Sequence, residues 1–432
     1  MSSNRIAMDH PIPQVMFYLI IASIPFFRWR QLPGPDFMKL DWLLTAGLLG
    51  LIGAYLGTLK GPPTRLRANI WIPWVLFLLA NLLATLLSPY PDQAWSGMVV
   101  LFQASIYFMI VLLLVSDRGF ETFLPWTIGL SMGLGALLSV LGYFFNVEAF
   151  SQEGTERAYG GTISANNMAL MCVYALPVAV HWAVYGKRNL IKLLGLGTSL
   201  MMVLGVVSTV SRGGFLNLLV VSGLLAYQYR IHFKVRYLGL VVAGMTIGLL
   251  VIGTMIPEEF FERQATLVTE GTQDKSLDRR SSYVIVAFDA IQAKPILGWG
   301  TSAFRKLWVE SEETRWFDMI ERPAHNTYLE VAVGSGILGL CLFAALLLKA
   351  YLNFRNAEKM LLQKHLYEAA HLVGAYKLGL VVVLFYFLFK SGIEHKYFLL
   401  ALPLSVVALR FALAKTEALS SEAQTDARAT SP

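Results

Sequence analysis

Apolar runs of roughly 20 residues follow one another along most of this 432-residue chain, each closed by charged residues or by Pro and Gly. That is the length a helix needs to cross the hydrocarbon core of a bilayer. The runs predict twelve spanning helices, near residues 14–27, 41–59, 69–88, 96–115, 123–145, 166–185, 191–210, 213–229, 235–256, 326–349, 369–389 and 396–414. The first is short, and the seventh and eighth are nearly continuous across Ser211-Arg212-Gly213-Gly214. The fold class expected is all-α, a polytopic membrane protein of about twelve transmembrane helices with one long polar loop.

Two polar segments interrupt the pattern. Asn146–Ala165 is short, whereas Pro257–His325 is too polar for lipid and too long for an idle connector. The chain therefore divides into helices one to nine (1–256), the long loop (257–325), helices ten to twelve (326–415) and a tail (416–432). The tail is rich in Ser, Thr, Ala and acidic residues, a composition expected to be disordered. Inside the long loop, Tyr283, Val286, Phe288 and Ile291 recur at roughly helical spacing over Ser281–Ala293. They predict an amphipathic helix lying on the outer face, broken by a turn at Pro295-Ile296-Leu297-Gly298-Trp299-Gly300.

Composition agrees with a membrane protein: 56% of residues are hydrophobic and 15% charged, against about 25% charged in soluble domains. The net charge of +7 does not point to nucleic acid, because the basic residues sit in short loops and form no stripe with interleaved aromatics. Their distribution sets orientation instead. Lys60, Arg65, Arg67, Lys187, Arg188, Arg355, Lys359 and Lys364 fall in loops on one side, which the positive-inside rule makes cytoplasmic. Both termini are then cytoplasmic and the 257–325 loop lies outside. No cleavage site follows Met1–Pro13, so the first span is expected to stay in the membrane. Cys172 and Cys341 fall within apolar runs and read as buried free thiols.

Ionisable groups at the mouth of a spanning helix are costly near lipid and default to functional candidates. Arg322-Pro323-Ala324-His325-Asn326-Thr327-Tyr328-Leu329-Glu330 places several of them just before the apolar run Val331–Lys349. His325 can take a proton near neutral pH; the alternative is a histidine that caps an interfacial helix. Arg212, between two apolar runs, must reach water or pair with an anion, and its planar fork suits a phosphate; it is otherwise an interfacial loop arginine. Arg279 and Arg280 open the loop helix beside Ser281 and Ser282, where they bind a diphosphate or form a solvated pair. Lys390 and His395, with Glu394 and Lys396, either complete an anion site or anchor the interface. Tyr159, near Arg157, and the Asn166-Asn167 pair offer hydroxyl and amide groups suited to sugars. Arg322, Asn326 and Tyr328 complete the set of substrate-binding candidates.

No Asp-x-Asp, His-Glu-x-x-His or His/Cys cluster occurs, so no metal site is expected. Walker, Gly-x-Gly-x-x-Gly and Gly-x-Ser-x-Gly motifs are also missing. An enzyme with this inventory works without nucleotide or other cofactor, using arginines as electrophilic stabilisers and histidine as base.

The series Pro295–Gly300, Arg322–Glu330 and Gly334-Ser335-Gly336-Ile337-Leu338-Gly339-Leu340 resembles the O-antigen ligase and polymerase superfamily. Ser211-Arg212-Gly213-Gly214 looks like the family's arginine-bearing motif, Arg280 like its loop arginine, and Asn166-Asn167-Met168-Ala169 like its Asn-rich entry to a span. The resemblance covers about residues 150–400. It implies transfer of a glycan from undecaprenyl diphosphate on the periplasmic face of the bacterial inner membrane, by a metal-independent inverting mechanism. Arg212 and Arg280 would then hold the diphosphate, with Arg279 as the other candidate for the loop position, and His325 would activate or orient the acceptor hydroxyl. Twelve spans, one dominant outer loop and no large C-terminal domain favour a ligase, whose acceptor is lipid A-core, over a polymerase of carrier-linked repeats. A rival from another class is an anion transporter lined by Arg212, Lys377 and Lys390, although the inverted repeats or paired broken helices that would favour one are not apparent. A non-catalytic membrane scaffold would leave the arginine-histidine constellation unexplained.

Overall fold

A computed structural model describes residues 11–30, 40–57, 64–151, 157–230, 275–317 and 319–429. Among these every named element is helical. In chain order the α-helices are α1 (Pro11–Ala22), α2 (Leu40–Gly57), α3 (Trp71–Leu86), α4 (Pro91–Leu114), α5 (Leu124–Phe144), α6 (Ala165–Tyr185), α7 (Asn189–Ser208), α8 (Arg212–Gln228), α9 (Lys275–Ala293), α10 (Phe304–Glu310), α11 (Thr327–Gln363), α12 (Tyr367–Tyr386) and α13 (Lys396–Ala429).

Seven helical segments among the described residues are long and apolar enough to cross a membrane: Pro91–Leu114, Gly119–Phe144, Ala165–Tyr185, Asn189–Ser208, Thr327–Gln363, Tyr367–Tyr386 and Lys396–Ser421. This makes the chain a multi-pass membrane protein. Three runs form shorter apolar helices, Pro11–Ala22, Leu43–Leu56 and Trp71–Leu86. The first is cut at Ala22, where the chain turns into a 3-10 segment, Ile24–Arg30, that contains Pro25. The expected span 235–256 lies outside the described residues. The division between α7 and α8 is sharp: Val210 has φ +48°, and the Ser211 hydroxyl caps α8 by accepting from the Gly214 N–H. At the other end of the chain, α13 continues to Ala429, through the stretch that composition assigns to a disordered tail. Its Ala, Glu, Leu and Gln residues are good helix formers and extend a helix already nucleated within the apolar run.

The chain forms two compact units. One comprises Met1–Ala22, Gln31–Thr127 and Arg279–Pro432; the other comprises Ser23–Arg30 and Ile128–Asp278. In the second unit α6 packs on α7 and α8. Gly214 permits the close approach of α8 to α6, since a Cβ there would meet the Ala169 methyl.

In the first unit α11 packs against α3, α12 and α13. At 37 residues it is roughly 55 Å long, well beyond the ~30 Å of a hydrocarbon core. It is also broken. Ser335 and Gly336 leave the helical region, with Gly336 at φ +66°. A gap in a membrane helix frees backbone groups that cost several kcal/mol each if left unsatisfied in lipid. The Pro295–Gly300 turn fills it. Trp299 N–H and Gly300 N–H donate to the carbonyls of Val333 and Gly334 at 2.9 and 2.8 Å, and Ile337 N–H donates to the Pro295 carbonyl at 2.8 Å. A Cβ at Gly336 would collide with the Ile296 carbonyl. The two glycine-bearing motifs are thus halves of one backbone joint. The same turn is anchored on the α3–α4 connection by the Ser88 hydroxyl, which donates to the Trp299 carbonyl at 2.5 Å.

The loop helix expected at 281–293 is present as α9, starting earlier, at Lys275. Tyr283, Val286, Ala287 and Ala290 enter a core with Phe304, Trp308 and Ala324, and Ile291 packs at its edge. Phe288, assigned by its spacing to the same apolar face, is 54% exposed instead. Of the two cysteines Cys172 is buried, whereas Cys341 lies on the outward surface of α11.

Candidate active site

His325 stands at the entrance to α11 in a backbone conformation rare for a residue with a Cβ, φ +52°. Such a conformation costs about 1–3 kcal/mol and persists only where neighbouring contacts enforce it. Those contacts are explicit. On the downstream side the Asn326 side-chain oxygen caps the helix, accepting from the Leu329 N–H at 3.1 Å. Thr327 N–H donates to the Phe387 carbonyl at 2.9 Å, and the Thr327 hydroxyl donates to the Lys390 carbonyl at 2.7 Å. The Tyr328 hydroxyl donates to the Leu384 carbonyl at 2.8 Å. The start of α11 thereby satisfies carbonyls left open at the end of α12, as helix termini require. Upstream, a Glu330 carboxylate oxygen accepts from the Ala324 N–H at 2.9 Å.

The imidazole lies 5.8 Å from the Tyr283 ring, centroid to centroid. Tyr283 is itself wedged edge-on against Trp308 at 4.5 Å. Burial pushes the His325 pKa down to about 4, and the charges of Arg280, Lys390, Arg279 and Arg322 push it the same way. The ring is therefore neutral at neutral pH and ready to accept a proton. Burial raises the Tyr283 hydroxyl, opposed by Arg279, Arg322 and Arg280. Burial lowers Lys390 to about 8, against the opposing charge of Glu394. His395 is held neutral, at about 3, by burial and then by Lys390. Five predicted residues, Arg279, Arg280, Arg322, His325 and Lys390, thus share one electrostatic neighbourhood. Cations gathered around a neutral base form an arrangement suited to a multiply charged anion with a proton donor beside it.

Arg212 belongs to the other unit, where it opens α8. A cation at a helix N-terminus opposes the helix dipole unless an anion joins it. The turn before Arg212 is held by hydrogen bonds to uncharged acceptors. Arg157 Nε donates to the Thr209 carbonyl at 3.0 Å, and its terminal nitrogen donates to the Asn166 side-chain oxygen at 2.8 Å. The Ser211 hydroxyl donates to that same oxygen at 2.9 Å. Arg157 thus braces the turn that presents Arg212. Asn166 makes these contacts, whereas Asn167 and Tyr159 are each 3% exposed within the packing of this unit.

Of the Asn166-Asn167 pair it is Asn166 that joins the frame, and Glu330 joins the turn at His325 without having been among the sequence candidates. Asn166 was legible only once Ser164 was known to cap α6, which fixes the face each asparagine occupies. Glu330, four residues beyond the Asn326 cap, had a detectable signal: an acid in the first turn able to reach back to a free N–H. Lys377 is engaged by Glu358 in an ion pair within the bundle, which weakens its place in an anion path. Among the described residues no group of three or more His, Cys, Asp or Glu side chains is arranged to hold a metal ion.

Residues 197–344 match the family model described as O-antigen ligase. That range contains Arg212, Arg279, Arg280, both halves of the backbone joint and Arg322–Glu330, and excludes Arg157, Tyr159, Asn167, Lys390 and His395. The chain is also similar to an uncharacterized protein of Haemophilus influenzae (strain ATCC 51907 / DSM 11121 / KW20 / Rd), 23% identical over 256 residues. The alignment covers 56% of this chain and 63% of that protein, less than two thirds of its length.

Proposed function

We propose, from the premise that the chain is a member of the O-antigen ligase superfamily, as residues 197–344 support, that it transfers an O-antigen polysaccharide from undecaprenyl diphosphate to lipid A-core. The coarser reading, a membrane glycosyltransferase of the ligase and polymerase class, follows from the family itself. What supports the transfer chemistry is His325 beside the Tyr283 ring, amid the charges of Arg279, Arg280, Arg322 and Lys390; lipid A-core as the acceptor rests on the resemblance to ligases. Departure of a glycan from a diphosphate leaves a multiply charged anion, which guanidinium groups stabilise by bidentate hydrogen bonds. Attack by an acceptor hydroxyl releases a proton, which a neutral imidazole accepts.

In this reading Arg280 and Arg212 hold the diphosphate, with Arg279, Arg322 and Lys390 extending the positive field. His325 activates or orients the acceptor, and the cations do the work of a metal. The active site faces the periplasm of a bacterial inner membrane, with both chain termini cytoplasmic. Arg157 serves as the brace of Arg212. The side-chain atoms that Asn326 and Tyr328 use within the protein set the helix entrance rather than grip sugar.

The test is reconstitution of the purified full chain with carrier-linked glycan and lipid A-core. Ligated product is expected, with activity retained in a chelator. Lengthened carrier-linked repeats in place of ligation would assign the polymerase role, and loss of activity in the chelator would replace the cation-only mechanism.

A further inference from the structure

We infer that Glu330 is a positioning residue for His325, holding through its carboxylate the backbone turn on which the imidazole is presented. The inference rests on the proposed role of His325 and adds a residue to it. His325 occupies the left-handed region at φ +52°, so its placement depends on restraint from both sides. Downstream the restraint is redundant: the Asn326 cap and both hydrogen bonds from Thr327 fix the chain. Upstream, Glu330 reaches back over the first turn of α11 to accept the Ala324 N–H at 2.9 Å, one residue before the histidine. Pro323 precedes Ala324 and has no N–H of its own with which to share that task.

Release of the Ala324 N–H lets His325 relax toward negative φ, which swings the imidazole from its place beside the Tyr283 ring. A displacement of about 1 Å in a reacting group can lower rate by about 100-fold without weakening substrate binding. What the turn needs from position 330 is an acceptor oxygen at that reach, and a negative charge is not essential.

Two substitutions separate reach from charge. Glu330→Gln keeps the length and an acceptor oxygen and cannot ionise; Glu330→Asp keeps the carboxyl group and shortens the arm by one methylene. In the reconstituted full-length protein, E330Q is expected to retain kcat within about 3-fold of wild type. E330D is expected to lose about 10- to 100-fold in kcat, with the KM for carrier-linked glycan little changed. Thermal unfolding in detergent, run on both, checks that the variants are folded. Equal activity in E330D and wild type, or a loss in E330Q as large as in E330D, overturns the inference. His325→Ala is assayed alongside. Full activity there would refute the role of His325 itself, whereas an inactive H325A with a fully active E330D refutes only the role of Glu330.

Discussion

The two arginine-bearing regions use the same side chain for different physical work. In the first unit Arg279, Arg280 and Arg322 act as charges on a titratable ring and, with burial, hold His325 neutral. In the second, Arg157 acts as a connector, with its donors committed to the Thr209 carbonyl and Asn166, while Arg212 is presented at the opening of α8. A guanidinium close to a titratable ring acts through its charge, whereas one that bridges neutral acceptors is part of the frame. Residue type alone does not separate these roles; the partners do.

The largest test of the contrast is His325→Ala, expected to reduce glycan transfer by about 100- to 10,000-fold while leaving membrane insertion intact. A steady-state transfer assay with quantified membrane protein reads it. Arg212→Ala should follow, with a loss of about 100- to 1,000-fold, and Arg212→Lys should recover little of it because an ammonium cannot form the bidentate contact. Arg157 should respond differently. Arg157→Ala leaves the Thr209 carbonyl short of a donor and the Asn166 oxygen with the Ser211 hydroxyl alone, a destabilisation of about 1–3 kcal/mol seen in thermal unfolding. Its effect on transfer should be smaller than that of Arg212. A larger loss in R157A than in R212A, with unchanged stability, would reverse the two assignments.

The smallest effect is one of pH. Lys390, at about 8, carries its charge below that value and loses it above. The KM for carrier-linked donor should therefore rise a few-fold as pH passes upward through 8, and Lys390→Gln should remove that dependence.

Much of this contrast is legible in the sequence. The apolar runs, the loop helix and the position of His325 before a span follow from hydrophobic length and period. The length of individual spans does not, because a run such as 14–27 is cut by the chain turn near Pro25, which apolarity alone cannot register. The role of Pro295–Gly300 is also hidden, since its partners are backbone groups freed nearly forty residues later by the break at Ser335-Gly336. Choosing Asn166 over Asn167 requires the register of α6, and distinguishing Arg157 from Arg212 requires knowing which carbonyls lie within reach. Glu330 stands in the motif from the outset, but its task appears only when its oxygen is seen on the Ala324 N–H.

The central claim is that burial and surrounding cations make His325 a neutral base. Its most direct test is the pH dependence of kcat/KM for glycan transfer, which reports the ionisation of the free enzyme. A depressed imidazole pKa keeps the base form down to its lowered value, so activity should hold from neutral pH and fall only as pH drops through about 4. Arg280→Gln removes one of the cations, and its acid limb should move upward. An acid limb near the ordinary histidine value of about 6.5 in both proteins would contradict the account.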